Sequence, residues 1–276
     1  MVKLGIAKIG CLGSIPLLEF LLDERAERKD LDVRVVGSGA KLGIEQCVEV
    51  IKTLLSLKPD LIISAGPAQQ TPGPKEARKI LAESGVPTLI VSDGPSVRIK
   101  DEFEKAGFGY IIIECDPMIG ARREFLDPVE MALFNSDVIR LLACVGIFNV
   151  MVDAVDSLID SVKRCEKPSL PRIIIDRDVA LEAAEYSNPY AKSKALAAFE
   201  IAKHVTQLHV DACFKVTDWK IYTTLVATGH EMMRFASKLA DEAREMEKSG
   251  DSVLRRPHHG DGLRSRKRSL MEKPQK

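Results

Sequence analysis

Along residues 1–115, short apolar runs alternate with segments whose apolar residues recur at helical spacing. The runs are Leu4–Ile9, Val33–Val36, Leu61–Ser64, Thr88–Ser92 and Tyr110–Cys115. Between them lie Ile15–Glu24, Ile44–Leu57, Pro74–Glu83 and Ile99–Lys105, and Gly37, Lys58-Pro59, Gly85 and Gly107 mark the junctions. Strand-like runs alternating with helical segments are βαβ units, whose crossovers make the strands parallel and put helices on both faces. Runs that are apolar at nearly every position fit strands covered on both sides. The pattern predicts an α/β fold built on a doubly wound parallel sheet.

Beyond residue 125 the period changes. From Pro128 to Lys163 the chain reads as almost unbroken helix, with Asp127 as N-cap and Pro128 in the first turn. Further helices are expected from Pro189 to Val205, opened by Asn188-Pro189, and from Trp219 to Lys248. Arg172–Ile175 and Val210–Val216 read as β-like interruptions. The expected organisation is an α/β cofactor-binding domain over 1–125 and a mainly helical substrate and assembly domain, with a small strand element, over 126–250. A basic tail over 251–276 follows.

Charge changes the picture only at that tail. The formal net charge is zero, so no global excess points to nucleic acid or to a membrane surface. Leu254–Lys276, however, holds eight Lys and Arg against two acidic residues, and the rest of the chain holds 32 basic against 38 acidic. Beyond Gly260 the tail has few apolar residues to bury. It is expected to be solvated or to lie against an acidic neighbouring subunit, outside the catalytic site. No stretch approaches the roughly 18–20 unbroken apolar residues of a membrane helix, and the start shows no signal-peptide cleavage region. Six cysteines lie far apart with no C-x-x-C pair, which fits reduced core thiols. Together these features predict a cytoplasmic protein that binds neither nucleic acid nor membrane.

In a doubly wound sheet the ligand lies outside the carboxyl ends of the strands. Those ends carry Gly10-Cys11-Leu12-Gly13-Ser14, Gly37-Ser38-Gly39, Ser64-Ala65-Gly66-Pro67, Asp93-Gly94-Pro95-Ser96 and Asp116-Pro117-Met118-Ile119-Gly120. Small residues let backbone N–H groups approach an anionic ligand, though each loop alone can be no more than a tight βα turn. Five on one edge favour a binding site, with Gly10, Cys11, Gly13, Ser14, Ser38, Ser64, Gly66, Pro67 and Gly94 as cofactor-binding candidates. The first loop is not G-x-G-x-x-G, because Pro16 replaces the small residue that close helix–strand packing needs. No Walker lysine loop, G-x-S-x-G elbow or metal-ligand spacing occurs, so neither a nucleophile nor a metal is expected. Arg122 and Arg123 can hold an anionic group bidentately, or form an ion-pair network with Glu124, Asp127 and Glu130. Tyr190 can stack on a flat ring or plug the helical lobe. His230 is a substrate-site candidate or a hydrogen-bonded structural histidine.

Several of these segments coincide with one family. Gly109-Tyr110-Ile111-Ile112 and the long stretch Asp116-Pro117-Met118-Ile119-Gly120-Ala121-Arg122-Arg123-Glu124-Phe125-Leu126-Asp127-Pro128 lead, followed by Glu130-Met131 and Phe134-Asn135. Leu22-Asp23-Glu24-Arg25-Ala26, Val35-Val36-Gly37, Asn188-Pro189-Tyr190-Ala191-Lys192, His230-Glu231-Met232 and Val253-Leu254-Arg255 complete the set. Nearly end to end, the chain resembles the archaeal methylenetetrahydromethanopterin dehydrogenases that use coenzyme F-420, an 8-hydroxy-5-deazaflavin. It departs from the family pattern in the first loop, in the third loop at Gly66–Pro74, and at Gly229, where the family has alanine.

The resemblance implies a hydride transfer from methylenetetrahydromethanopterin to the deazaflavin, giving methenyltetrahydromethanopterin in one-carbon metabolism and methanogenesis. It also implies a homohexamer, with the cofactor over the strand ends and Asn135 among the substrate contacts. Pterin and deazaflavin supply the electronics, so the protein's share is alignment and electrostatics. A carboxylate near the developing methenyl cation would help, and Asp93 and Asp116 are the candidates. The alternatives are a related pterin or nicotinamide oxidoreductase with a drifted first loop, and a cofactor- or pterin-sensing module without turnover.

Overall fold

The computed structural model describes residues 1–22 and 28–275. The matched residues Asp23-Glu24-Arg25-Ala26, and with them the end of the expected Ile15–Glu24 helix, lie outside the described residues. Five β/α repeats open the chain: β1 (Val2–Lys8), α1 (Ser14–Leu22), β2 (Leu31–Gly37), α2 (Ile44–Ser56), β3 (Leu61–Ala65), α3 (Pro72–Ser84), β4 (Thr88–Asp93), a 3-10 turn over Gly94–Ile99, α4 (Lys100–Lys105) and β5 (Gly109–Ile113). After them come α5 (Pro128–Cys144), α6 (Ile147–Lys163), β6 (Arg172–Ile175), α7 (Arg177–Ala184), α8 (Pro189–Val210) and α9 (Trp219–Ser249).

The six strands form one sheet in the order β2-β1-β3-β4-β5-β6. The β1–β2, β1–β3, β3–β4 and β4–β5 pairs are all parallel. The order reverses between β1 and β3, the switch point where doubly wound sheets open a crevice at their carboxyl edge. Alternate strand residues Ala7, Ile62, Ile90, Tyr110 and Ile112, with Ile9 just past β1, join Val50, Ile51 and Leu54 of α2 and Ala77 and Leu81 of α3 in one buried cluster. The other alternate set, including Leu4, Ile6, Leu61, Ile63, Leu89, Val91, Ile111 and Ile113, is buried equally. Burial on both sides explains why these strands read as unbroken apolar runs.

Three expectations change. Arg172–Ile175 does form a strand, but it closes the main sheet beside β5, where Tyr110 N–H donates to the Pro171 carbonyl (2.7 Å). The expected single helix from Pro128 to Lys163 is two. Gly146, with φ of +100°, separates α5 from α6, and a Cβ there would stand 1.9 Å from the Ala180 carbonyl oxygen. Val210–Val216 is not a strand either: α8 widens into a π-helical turn over Asp211–Lys215, closed by Val216 N–H donating to the Asp211 carbonyl (3.0 Å).

The chain divides into two compact units. The first comprises Met1–Ile113, Met151–Ile174 and His258–Leu263; the second comprises Glu114–Val150, Ile175–Pro257 and Arg264–Lys276. The tail thus belongs to the body of the protein, which overturns the expectation of a solvated arm. In the first unit His258 is 1% exposed, with Nε2 2.9 Å from Asp156 Oδ2, and Lys29 N–H donates to the Gly260 carbonyl (3.0 Å). In the second, Arg256, Arg266 and Arg268 all reach Glu185. Polar contacts anchor the tail where apolar residues are too few. Among the described residues no single helix is long and apolar enough to cross a membrane.

Candidate functional site

At the carboxyl edge of the sheet, the loops after β1 and β2 are tied together by one hydroxyl. Ser38 Oγ accepts from Gly10 N–H (3.1 Å) and donates to the Lys41 carbonyl (2.7 Å). Gly10 has φ of +76°, a conformation that L side chains rarely adopt, and Pro67 flanks it on the third loop. Gly39, at φ +61°, has no atom within 4 Å of where a Cβ would stand, and Cys11 beside Gly10 is an exposed free thiol. This corner is therefore ordered yet open. Gly13 and Ser14 are buried at the start of α1.

The loop after β3 is held from behind. A side chain at Gly66 would meet the Ile9 carbonyl oxygen at 2.0 Å, so only glycine fits. The Gly66 carbonyl accepts from Ser92 Oγ (2.7 Å) and from Gln69 Nε2 (3.0 Å). Arg78, buried on α3, donates to both the backbone carbonyl (2.6 Å) and Oε1 (2.8 Å) of Gln69. Ser92 Oγ lies 2.8 Å from Ser96 Oγ, which is 3.3 Å from Asp93 Oδ1. Asp93 is 1% exposed and bonded to its own loop, so its place is that of a loop organiser. Ser64 is buried within β3, and Gly94 opens the 3-10 turn.

A second cluster lies in the unit that holds α5, α8 and α9. Arg122 sits 3.8 Å above the Tyr222 ring and donates through Nη2 to the Val216 carbonyl (3.1 Å), while its buried Nε has no partner. Arg123 is exposed. The expected ion-pair network is arranged differently. Asp127 caps α5 by accepting from Val129 N–H (3.0 Å), and Glu130 faces Arg234 (3.4 Å) and His230 (3.3 Å). At Glu124 a hydrogen bond from Tyr222 and the charges of Arg122 and Arg123 hold the carboxyl below the usual range. Asp116 is fully buried in the loop after β5.

His230 is 3% exposed and lies between Phe125 (4.7 Å) and Phe134 (4.3 Å), beside His209 (5.6 Å between ring centres). Burial, then the neighbouring His209 and Arg234, pushes its pKa down to about 4, so the ring is neutral. Asn135 donates to the Met131 carbonyl (2.9 Å) on its own helix. Tyr190 is 74% exposed at the first turn of α8. Nineteen residues of helix at a rise of about 1.5 Å separate it from His209 by roughly 28 Å. Within one chain it does not join the His230 cluster.

The structure thus gathers Gly10, Ser38, Gly66 and Pro67 in one place and Arg122, Tyr222 and His230 in another. Sequence reading missed His209, Tyr222, Gln69 and Arg78. Gly229 and Gly120 carried the only signal for His209: a Cβ at Gly229 would stand 2.1 Å from His209 Nε2, and one at Gly120 3.1 Å. Among the described residues no three His, Cys, Asp or Glu side chains are placed to hold a metal ion.

A family model described as methylene-5,6,7,8-tetrahydromethanopterin dehydrogenase matches residues 2–275. A coenzyme F-420-dependent methylenetetrahydromethanopterin dehydrogenase of Methanocaldococcus jannaschii is 54% identical over 276 residues, covering all of both chains. Its counterpart in Methanothermobacter marburgensis is 50% identical over 275 residues, again over the full length of both. A solved structure of such a dehydrogenase, in complex with methylene-tetrahydromethanopterin and coenzyme F-420, superimposes with a TM-score of 0.96 at 46% identity and covers both chains completely.

Proposed function

The chain belongs to the methylene-5,6,7,8-tetrahydromethanopterin dehydrogenase family, and on that premise we propose that it transfers a hydride between methylenetetrahydromethanopterin and coenzyme F-420. The observation that carries this reading is the full-length superposition on a dehydrogenase solved with both molecules bound.

The residues fit such a pair of ligands. The corner of Gly10, Cys11, Ser38 and Gly39 is open, carries no acidic side chain, and presents backbone at positive φ, which suits an anionic cofactor approached closely by main chain. We assign Gly10, Cys11, Gly13, Ser14, Ser38, Ser64, Gly66, Pro67 and Gly94 to the cofactor, either in contact or in shaping the loops. Arg122 takes an anionic or carbonyl group of the substrate through its buried Nε edge, with Arg123 beside it, and we assign Asn135 and His230 to the substrate as well. Tyr190 serves a site only through stacking at the surface of α8. Asp93 and Asp116, both buried at strand ends, remain the electrostatic candidates for a developing cation.

The bound deazaflavin supplies the hydride-accepting carbon. The protein needs no acid–base pair for that step, and its work is to align the two carbons and exclude water. Alignment at about 3–3.5 Å lowers a barrier by as much as about 7–11 kcal/mol in favourable systems. The expected boundary at residue 125 gives way to one at Ile113/Glu114, so that Asp116, Arg122 and Arg123 fall with the substrate portion, and Met151–Ile174 returns to the unit that holds the cofactor loops. We further propose assembly as a homo-oligomer, a hexamer by family resemblance. Val129 and Leu133 lie exposed one turn apart on α5, with exposed Leu126 just before its cap, the kind of apolar surface that a subunit contact covers.

Steady-state kinetics test the cofactor assignment. Loss of oxidised deazaflavin absorbance on adding methylenetetrahydromethanopterin, with no turnover of NAD or NADP and undiminished rates after exhaustive chelation, is expected. Comparable rates with NADP would overturn it, as would a metal-restored loss.

A further inference from the structure

One face of α8 grips the segment that leaves β5. Lys203 Nζ pairs with Glu114 Oε2 (2.6 Å), and Thr206 Oγ1 donates to the Glu114 carbonyl (3.3 Å). One turn further on, His209 Nδ1 lies 2.9 Å from the Met118 carbonyl. Positions 203, 206 and 209 fall on one side of a helix, so the three contacts form a ladder along residues 114–118. The ladder ends at the loop that carries Asp116 and Arg122.

We propose that His209 is a positioning residue for the hydride transfer: it holds the Asp116–Arg122 loop in its working geometry by donating Nδ1–H to the Met118 carbonyl. This rests on the assignment of that loop to the substrate site. A carbonyl can only accept, so the ring must carry its proton on Nδ1. The opposite edge of the ring is set by sterics. Gly120 and Gly229 leave room for Nε2 that a methyl group would fill, and Phe134 closes the side at 5.3 Å. Nε2 is buried, and the group it faces is the Val226 backbone, at a geometry short of a regular hydrogen bond. A ring wedged between two glycines has one orientation, and that orientation fixes where Met118 stands. Burial lowers the His209 pKa, and the groups around it are His230 of α9, with Glu130 of α5 and Arg234 of α9 behind, so a second proton is disfavoured. The ring therefore acts as a neutral, directional donor rather than as an acid.

The test compares two substitutions of similar size. His209→Asn places an amide N–H where Nδ1 stands, whereas His209→Gln carries its donor to the Nε2 position and leaves the Met118 carbonyl unmet. Both are assayed as the full-length enzyme, varying the pterin at saturating coenzyme F-420 and then coenzyme F-420 at saturating pterin, alongside Arg122→Ala. The expected result is that Asn keeps kcat/KM for the pterin within about threefold of wild type, while Gln loses at least tenfold at an unchanged KM for the deazaflavin. Equal kinetics for Asn and Gln would overturn the proposal. So would unfolding of either at the assay temperature, because His209 would then be a core residue only. Wild-type kinetics for Arg122→Ala would instead remove the loop from the substrate site, a failure of the underlying assignment that the Asn–Gln comparison alone does not produce.

Discussion

His230 shows how one buried side chain sets a pH limit. In the unfolded chain a histidine titrates near about 6.5, whereas in the fold burial, His209 and Arg234 depress it to about 4. Between those values the unfolded state binds a proton that the folded state refuses, so stability falls as pH drops from about 6.5 towards 4 and is fully present above 6.5. The loss amounts to at most about 3 kcal/mol, at 1.36 kcal/mol per pH unit. Asp30 adds a separate loss at lower pH. Burial alone would raise its pKa, but hydrogen bonds and charge from Arg28 and Lys163 hold it below the usual range, so stability is lost once it must be protonated. Denaturant melts at pH 7.5 and 4.5 should show wild type losing more stability than His230→Gln; equal losses would remove His230 as the cause. In the sequence His230 was visible as a candidate, because it sits at helical spacing in Thr228–Met232 and His230-Glu231-Met232 matches the family. His209 was not, since its partner Met118 is brought close only by the way α8 packs.

Elements were legible where their signals were local. β1 to β5 read correctly: β1, β3, β4 and β5 are buried on both faces and apolar at almost every position, while the edge strand β2 showed as the short run Val33–Val36. The caps of α5 and α8 also read correctly: Asp127 and Asn188 accept from the first-turn N–H groups. Two elements were misread for physical reasons. The Val210–Val216 run has β-branched ends, yet Lys215 pairs with Asp211 (2.7 Å) and Gln207 donates to Asp211 (2.8 Å), which stabilises a continuing helix. Gly146 looked tolerable inside a helix of good formers; what breaks the helix is the approach of the Ala180 carbonyl from α7, which no local pattern encodes. Gly146→Ala should therefore destabilise the protein by about 2 kcal/mol or more, through strain at positive φ and overpacking together. A melting temperature within 1 °C of wild type, on the scale where about 1 kcal/mol moves a chain of this size by a few degrees, would show that α7 can move aside.

At the scale of the whole molecule, the tail was the feature that sequence described least well. Its composition is that of a solvated arm, but Glu185 gathers Arg256, Arg266 and Arg268, and Gly262 lies where a Cβ would reach Asp30 Oδ2 at 2.1 Å. Ion pairs are worth little singly, and a network held by partly buried arginines contributes more. Truncation after Gly260 should lower the melting temperature by at least about 3 °C, more at low salt than at high salt, with turnover per folded site retained. An unchanged melting temperature would return the tail to the surface; a full-strength fold without turnover would place it in the active site. Function was legible for a different reason from fold. The loops at the strand ends and the arginine stretch after β5 are long enough to identify a family, but what positions them lies on α3, α8 and α9, far away in sequence. The central claim is direct hydride transfer from the pterin carbon to the deazaflavin. It is tested most directly with methylenetetrahydromethanopterin deuterated at the methylene carbon. The account predicts that one deuterium appears on carbon 5 of the reduced deazaflavin in stoichiometric yield, with no exchange into water. Deuterium lost to solvent, or a reduced deazaflavin carrying only solvent hydrogen, would contradict it.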